Sequence, residues 1–531
     1  MPGHTPAMFR RRMSPLNSPL SSSRPSWPHG GAIALVALAA GLPFVFGVTQ
    51  APQTSFWPLM ASAACAWGIA ALAWAGRLPG TRLGWGLAWG LLLGAVAGAC
   101  IGLLQYFVGD PGWAPWVHPA APGQALGNLR QRNQQATLML LGLWALLWLV
   151  ARLQAVAGER PASRWPLALA VAVPWAVVLL AACAAATASR TGALEWLVLL
   201  GLLLLWRRGQ GALAPAVAAV GLAAYLLAAW WLPELLAQWT GVRADGLFSR
   251  LADESSRCTS RRVLWANVLH LIGERPWTGW GWGELDYAHY ITAFPGERFC
   301  VLLDNAHDLP LHLAVELGLP VALLLCGGAL WAVWRARPWH ETQLLRRLAW
   351  GVLALVGVHS LLEFPLWYGP FQLAALLAVA VLLPPKVWQA LRWPVGAALL
   401  AAPVLAWMLA RDYAQVSALY RPVAERPAAL RGLTAQEAAR RVTFFRAPAE
   451  FAWLTTTPAT AANAQAMHAT ALRLLHYSPE PRVVEKLIAS ARLLGREDEA
   501  ALHEDRYRRA YPRDYARWRS GAPATGAPQR D

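Results

Sequence analysis

Charge is scarce in this chain. Asp, Glu, Lys and Arg make up 14% of its 531 residues, against about 25% in a typical soluble protein. Acids are the scarcer sign, 29 against 46 Lys and Arg. So little charge beside 56% hydrophobic residues excludes a disordered chain and argues against a single soluble enzyme. Nucleotide and metal motifs are missing too. There is no phosphate loop, no Gly-x-Gly-x-x-Gly unit opening a helix after a strand, and no His-Glu-x-x-His. The six Cys include no pair at metal-ligand spacing, so no metal and no cofactor is expected.

Apolar length and tryptophan are abundant instead, with 31 Trp. About eleven segments approach the length that crosses roughly 30 Å of hydrocarbon. They lie near 31–49, 55–76, 83–108, 134–151, 165–187, 192–206, 211–232, 309–334, 346–362, 366–384 and 393–410. None alternates as a barrel strand does, and backbone polar groups cannot go unpaired in lipid, so each is expected to be a helix. The expected fold is all-α, a polytopic membrane helix bundle. Residues 1–30 are basic and precede an apolar run with no clear cleavage site, which fits a cytoplasmic segment before an uncleaved first span.

A net charge of +17 fits either a nucleic-acid surface or a basic cytoplasmic face. Position decides between them. With the N-terminus inside, the inner segments hold Arg10, Arg11, Arg12, Arg24, Arg77, Arg82, Arg152, Arg160, Arg164, Arg207, Arg208, Arg335, Arg337, Arg346, Arg347, Lys386 and Arg392 against Glu159 and Glu341. The short outer loops hold Arg130, Arg132 and Arg190. That asymmetry sets the orientation, and no basic patch with interleaved aromatics is left for nucleic acid.

The membrane domain then covers 31–410, with an outer loop near 233–308. An outer tail follows over 411–520, with helices expected near 434–447, 460–477, 481–494 and 496–510 and a frayed end at 521–531. The tail is weakly like a tetratricopeptide helix pair. Cys258 and Cys300 both lie in the outer loop, where an oxidising compartment would let them pair.

Polar groups at one membrane face are informative, because burying them is costly. Five clusters fall on the outer face. Gly127 to Gln135 brings Arg130, Arg132, Gln134 and Gln135 to the start of the fourth span, where Arg and amides suit phosphate or sugar hydroxyls, or an ordinary helix start. Ser189-Arg190-Thr191-Gly192 is a tight turn whose Arg either binds an anion or snorkels. Arg261 and Arg262 open a helix-like stretch, and Trp277, Trp280 and Trp282 follow among glycines, suited to the interface or to a sugar face. Asn305-Ala306-His307-Asp308 leads into the eighth segment, which continues with His312 and Glu316 on one helix face. A His at that boundary can act as acid or base near neutral pH. Last, Pro365 breaks a helix and exposes Glu363 and Tyr368.

Arg132-Asn133-Gln134-Gln135, Ser189 to Gly192, Arg261 to Trp265, Asn305-Ala306-His307 with Leu311 to Gly318, and Glu363 to Tyr368 occur in an order that resembles the O-antigen ligase/polymerase superfamily. They look most like its pilin-type protein O-oligosaccharyltransferases (PglL-like). The resemblance implies transfer of a preassembled oligosaccharide from undecaprenyl diphosphate to a Ser or Thr hydroxyl of an acceptor protein such as a pilin. It implies the bacterial inner membrane, with the site facing the periplasm, and neither metal nor nucleotide. It makes His307 the catalytic residue and gives Arg190, Arg261 and the adjacent Arg262 to the diphosphate. Gln134, Gln135, Tyr368 and Glu363 go to glycan or acceptor, and Asn305, Asp308, His312 and Glu316 support the His. Many relatives carry Asn after the His; here Asp308 follows and would either favour imidazolium or orient the ring. Transfer to lipid A core and polymerisation of O-antigen units are alternatives, since both share carrier, Arg and His. A transporter fits less well, because the ionisable groups gather at one face rather than the midplane.

Overall fold

The computed structural model describes residues 30–157, 167–252, 258–431, 433 and 435–521. The N-terminal basic segment, Arg160 and Arg164, and the expected frayed end from residue 522 lie outside the described residues. The described residues contain helices and no strand.

The first part runs α1 (Gly30–Val45), α2 (Phe56–Trp74), α3 (Gly80–Val108), α4 (Arg132–Ala157), α5 (Leu167–Ala186), α6 (Arg190–Leu205) and α7 (Leu213–Thr240). The outer segment folds as α8 (Leu247–Ala252), α9 (Arg261–Glu274), α10 (Leu285–Ile291) and α11 (Leu309–Leu317). Then come α12 (Leu319–Ala336), α13 (Leu344–Ser360), α14 (Gly369–Leu382), α15 (Pro385–Ala390) and α16 (Arg392–Leu419). Seven helices are long and apolar enough to cross a membrane: α2 to α5, α7, α12 and α16. The remaining apolar segments fold as the shorter α1, α6, α13 and α14.

The bundle is built around α4, whose side chains from Ala136 to Ala151 are almost all buried. Small residues bring α1 and α3 into backbone contact, as in membrane helix pairs generally. A Cβ on Gly90 would lie 2.7 Å from the Ala37 carbonyl oxygen, so only glycine fits there. By contrast α12 and α16 turn most of their apolar surface outward, the pattern of helices that lipid rather than protein covers.

Three expected boundaries move. The eighth apolar segment is not one span. It breaks at Gly318 (φ 81°), before Pro320, so His312 and Glu316 sit on the nine-residue α11 and only α12 has spanning length. The break is clamped by the Trp-Gly run. Trp280 N–H donates to the Val315 carbonyl at 2.9 Å, Gly281 N–H to Glu316 at 2.9 Å, and Leu319 N–H to Pro276 at 2.8 Å. A Cβ on Gly279 would meet the Glu316 carbonyl oxygen at 2.3 Å, and one on Gly318 the Trp277 oxygen at 2.3 Å. The glycines of this run are therefore needed for backbone-to-backbone approach. The seventh segment runs on past residue 232 and through Pro233 to Thr240, where Gly241 ends it in the left-handed region.

The tail helix expected over 434–447 is two helices, Ala435–Arg440 and Arg446–Thr456. The Asp412 carboxylate near the end of α16 interrupts it by accepting the backbone N–H groups of Thr443, Phe444 and Phe445. Helices Ala464–Leu474, Pro481–Leu493, Glu497–Ala510 and Pro512–Arg519 follow, around a core that includes Leu474, Val484, Leu487 and Tyr507. This tail is docked rather than tethered. Tyr413 of α16 donates from its hydroxyl to the Gln50 and Gln53 carbonyls, His476 meets Glu284 at 2.7 Å, and Tyr290 lies 3.2 Å from His503. Cys258 and Cys300 form a disulfide, with Cα atoms 5.5 Å apart. It ties the stretch before α9 to the stretch before His307.

The bundle has two distinct ends. At one, Arg347 donates to the carbonyls of Glu341 and Arg208, Arg346 to Glu341 and Leu382, Trp148 to Leu344, and Trp206 to Pro338. The other end collects the starts of α4, α6 and α14, the end of α13, and the segment leading to α11.

Candidate active site

Each of the five polar clusters contributes a hydrogen-bonding group to one network at this second end. Glu363 is its hub. It follows α13 by one turn, held by its N–H to the His359 carbonyl at 2.9 Å, and only 3% of its side chain is exposed. Its Oε1 accepts from Asn133 Nδ2 at 2.8 Å and from the Arg261 guanidinium. Its Oε2 lies 2.7 Å from His307 Nδ1. Asn133 Oδ1 in turn accepts the Ser189 hydroxyl at 2.6 Å, and that hydroxyl oxygen caps α6 by accepting Gly192 N–H at 3.0 Å. One carboxylate therefore connects α4, the α6 turn, α9, the His307 loop and the α13–α14 turn.

Taking a carboxylate out of water costs several kcal/mol unless partners replace the water. Burial by itself would raise the Glu363 pKa. The His307 hydrogen bond and the nearby Arg261 charge outweigh it and hold the acid below the usual carboxylate range. Glu363 is thus an anion with both oxygens engaged. An anionic carboxylate only accepts, so His307 Nδ1 carries a proton, and in the neutral ring Nε2 is then the acceptor.

Backbone strain gathers around the same groups. Four described non-glycine residues have positive φ, and three lie here: Arg130 (62°), Ala188 (49°) and His307 (50°). Such conformations persist where surroundings over-determine them. For His307 the determinants are Glu363 on the ring and Asn305, whose Oδ1 accepts His307 N–H at 2.8 Å. Phe364 packs edge-on against the ring, with centroids 4.9 Å apart.

The other singled-out residues divide. Arg190 and Arg262 are exposed and have no partner among the described residues; Arg261 is bound to Glu363. Asp308 does not orient the ring. It caps α11, accepting Leu311 N–H at 2.8 Å, and the carboxylate beside the ring is Glu363. Glu363 is consequently not free for glycan or acceptor. Gln135 is fully buried, and its amide donates inward to the Gly98 carbonyl at 2.8 Å. Gln134 is equally buried, and its side-chain amide has no hydrogen-bond partner among the described residues. Tyr368 lines a small cavity with Arg130, Asn128 and Trp367. His312 and Glu316 stand 3.5 Å apart on α11, both buried, with Trp367 packed edge-on to the His ring and nearly parallel to the exposed Trp282.

A second polar layer lies one helical turn deeper. Thr137 Oγ1 is 2.6 Å from Glu195 Oε1 and 2.7 Å from His359 Nδ1, all three fully buried. Thr137, Glu195 and His359 follow Asn133, follow Arg190 and precede Glu363 on α4, α6 and α13 respectively. Sequence reasoning gave this layer no role, although His359 precedes the Glu363 cluster, and gave Asn133 no bridging role. The available signals were a lone Glu inside an apolar run and the four-residue spacings Asn133–Thr137 and His359–Glu363.

Comparison with known proteins follows the same division of the chain. Three family models match in order: a protein glycosylation ligase over residues 125–150, an O-antigen ligase over 175–326, and the C-terminal part of a virulence factor membrane-bound polymerase over 347–524. These matches support the resemblance to the O-antigen ligase and PglL-like superfamily. Asn133, His307 and Glu363 come from three different matched stretches and meet in one network. A general O-oligosaccharyltransferase of Acinetobacter baylyi is 29% identical over 126 residues, 24% of this chain and 22% of the relative. The aligned stretch is thus far less than two thirds of that relative. No solved structure matches.

Proposed function

We propose that this protein transfers a preassembled oligosaccharide from undecaprenyl diphosphate to Ser or Thr hydroxyls of acceptor proteins, pilins among them, at the periplasmic face of the bacterial inner membrane. The observation that carries this is the Glu363–His307 pair, with Arg261 on the same carboxylate and with Arg190 and Arg262 exposed and without a partner among the described residues. In the reaction His307 Nε2 takes the proton of the acceptor hydroxyl while its oxygen attacks C1 of the first sugar. The bond from C1 to the diphosphate oxygen breaks, and the lipid diphosphate leaves with the electron pair. Glu363 fixes the tautomer and offsets the imidazolium charge. Arg190 and Arg262 meet the charge that develops on the leaving group, an effect strongest where water is thinned out. The Arg-poor outer loops and Arg-rich inner segments support the orientation, and the Cys258–Cys300 bond suits an oxidising compartment. The match to a protein glycosylation ligase and the similarity to a general O-oligosaccharyltransferase favour a protein acceptor.

The O-antigen ligase and polymerase matches carry a second reading, transfer to lipid A core or to another O-antigen chain. Intact-mass analysis of periplasmic proteins with and without this gene separates the two. Loss of glycan mass from proteins is the expected result. Unchanged protein glycans together with a lost lipopolysaccharide ladder would establish the second reading instead.

A further inference from the structure

The catalytic network leaves a cleft in the tail without a role. A cleft of about 230 Å³ lies among helices Ala435–Arg440, Arg446–Thr456 and Ala464–Leu474. Arg440, Arg446, Arg473, Glu450, Thr470 and Trp453 line it. Its charges do not balance. Glu450 Oε1 accepts from Arg446 Nε at 3.0 Å and from the Arg473 guanidinium at 3.1 Å, so one carboxylate serves two cations. Arg440 has no ion-pair partner among the described residues. Arg473 also reaches Thr470 Oγ1 at 3.1 Å and the Ala469 carbonyl at 3.2 Å, which fixes its guanidinium at the rim. The largely buried Trp453 supplies an apolar wall.

We propose that this cleft binds an acidic, extended stretch of polypeptide. In the reaction proposed above that stretch belongs to the acceptor protein, and this last step rests on that reading; the binding itself does not. Guanidinium groups in excess over carboxylates select carboxylate side chains and steer them in. The concave shape favours a peptide strand over a flat lipid surface, and the volume admits a few side chains rather than a folded domain. Position adds a purpose. The tail is fastened to the α1–α2 loop by Tyr413 and to α10 by His476 and His503. A segment held in the cleft is therefore held at a fixed reach from His307.

The test uses the full-length protein in neutral detergent and two fluorescein-labelled decapeptides carrying one Ser, one with alternating Glu and the other with Gln at the same positions. Anisotropy should show the Glu peptide binding about tenfold tighter at low salt, with the gap closing as salt screens it. The R440Q/R473Q double variant should bind the Glu peptide no better than the Gln peptide. Glu450→Gln frees two guanidiniums and should tighten binding, an outcome that misfolding cannot mimic. Equal affinity for the two peptides, or weaker binding by Glu450→Gln, would overturn the proposal. So would loss of sedimentation with phosphatidylglycerol vesicles in R440Q/R473Q while its peptide binding stayed intact. Binding of the expected pattern without any glycan transfer would sustain the cleft and sink the transferase reading.

Discussion

At one end of the bundle Arg347 spends its donors on the carbonyls of Glu341 and Arg208, and Arg346 on the Glu341 carboxylate and the Leu382 carbonyl. At the other, Arg261 meets a buried carboxylate, and Arg190 and Arg262 have no partner among the described residues. The residue type is the same and the physics differs. Donors satisfied by backbone carbonyls and a neighbouring carboxylate tie helix ends together and have little capacity left for a ligand. Guanidiniums without a partner among the described residues have that capacity, and the same end of the bundle holds the positive-φ residues Arg130, Ala188 and His307. The count of arginines does not locate chemistry; their unspent donors do.

That contrast can be broken by mutation. The largest effect belongs to His307→Ala, which removes the proposed proton acceptor. Transfer by purified enzyme should fall by about 10²- to 10⁴-fold, and near-normal turnover would end the assignment. Arg190→Ala and Arg262→Ala should each weaken lipid-linked donor use by about tenfold in kcat/KM, with folding unchanged, measured against a range of donor concentrations. At the opposite end Arg347→Ala should leave kcat and KM near wild type. It should lower the unfolding temperature, since buried carbonyls lose donors at about 1–3 kcal/mol. A drop in turnover without a drop in stability would erase the distinction between the ends.

The smallest effect is a pH dependence in the loop that carries the tail. Burial, first among the causes, pushes Asp286 of α10 up to about 8, against an ordinary value of 3.8. A raised acid binds its proton more tightly in the folded state. Its contribution is fully present below about pH 4 and is lost as pH rises through about 8. Asp286→Asn should therefore flatten the fall in unfolding temperature between pH 5 and 9 by a few degrees, as followed by thermal scanning. An unaltered profile would show that Asp286 is not the titrating group.

Much of this was legible in the chain. Apolar runs locate the helices because lipid allows few other structures, and all five polar clusters were visible as interruptions of those runs. Two kinds of fact were not. The first is breaks set by distant partners: Gly318 is kept non-helical by backbone pairing with residues 276–281, and the tail helix is interrupted by Asp412. The second is the direction of side chains at a helix start. Among Asn133, Gln134 and Gln135 only structure shows that Asn133 reaches Glu363 while Gln135 turns inward. The same holds for Glu363, whose neighbouring Pro365 suggested exposure and whose side chain is almost wholly enclosed.

The central claim is that His307 and Glu363 act as one unit. A double-mutant cycle tests it most directly, with transfer rates measured for wild type, Glu363→Gln, His307→Ala and the double variant. Residues that act as a unit are strongly non-additive. Glu363→Gln should cost about 10²-fold in the wild-type background and nothing further once His307 is gone. Equal losses in both backgrounds would show that Glu363 works independently of the His, and would contradict the account.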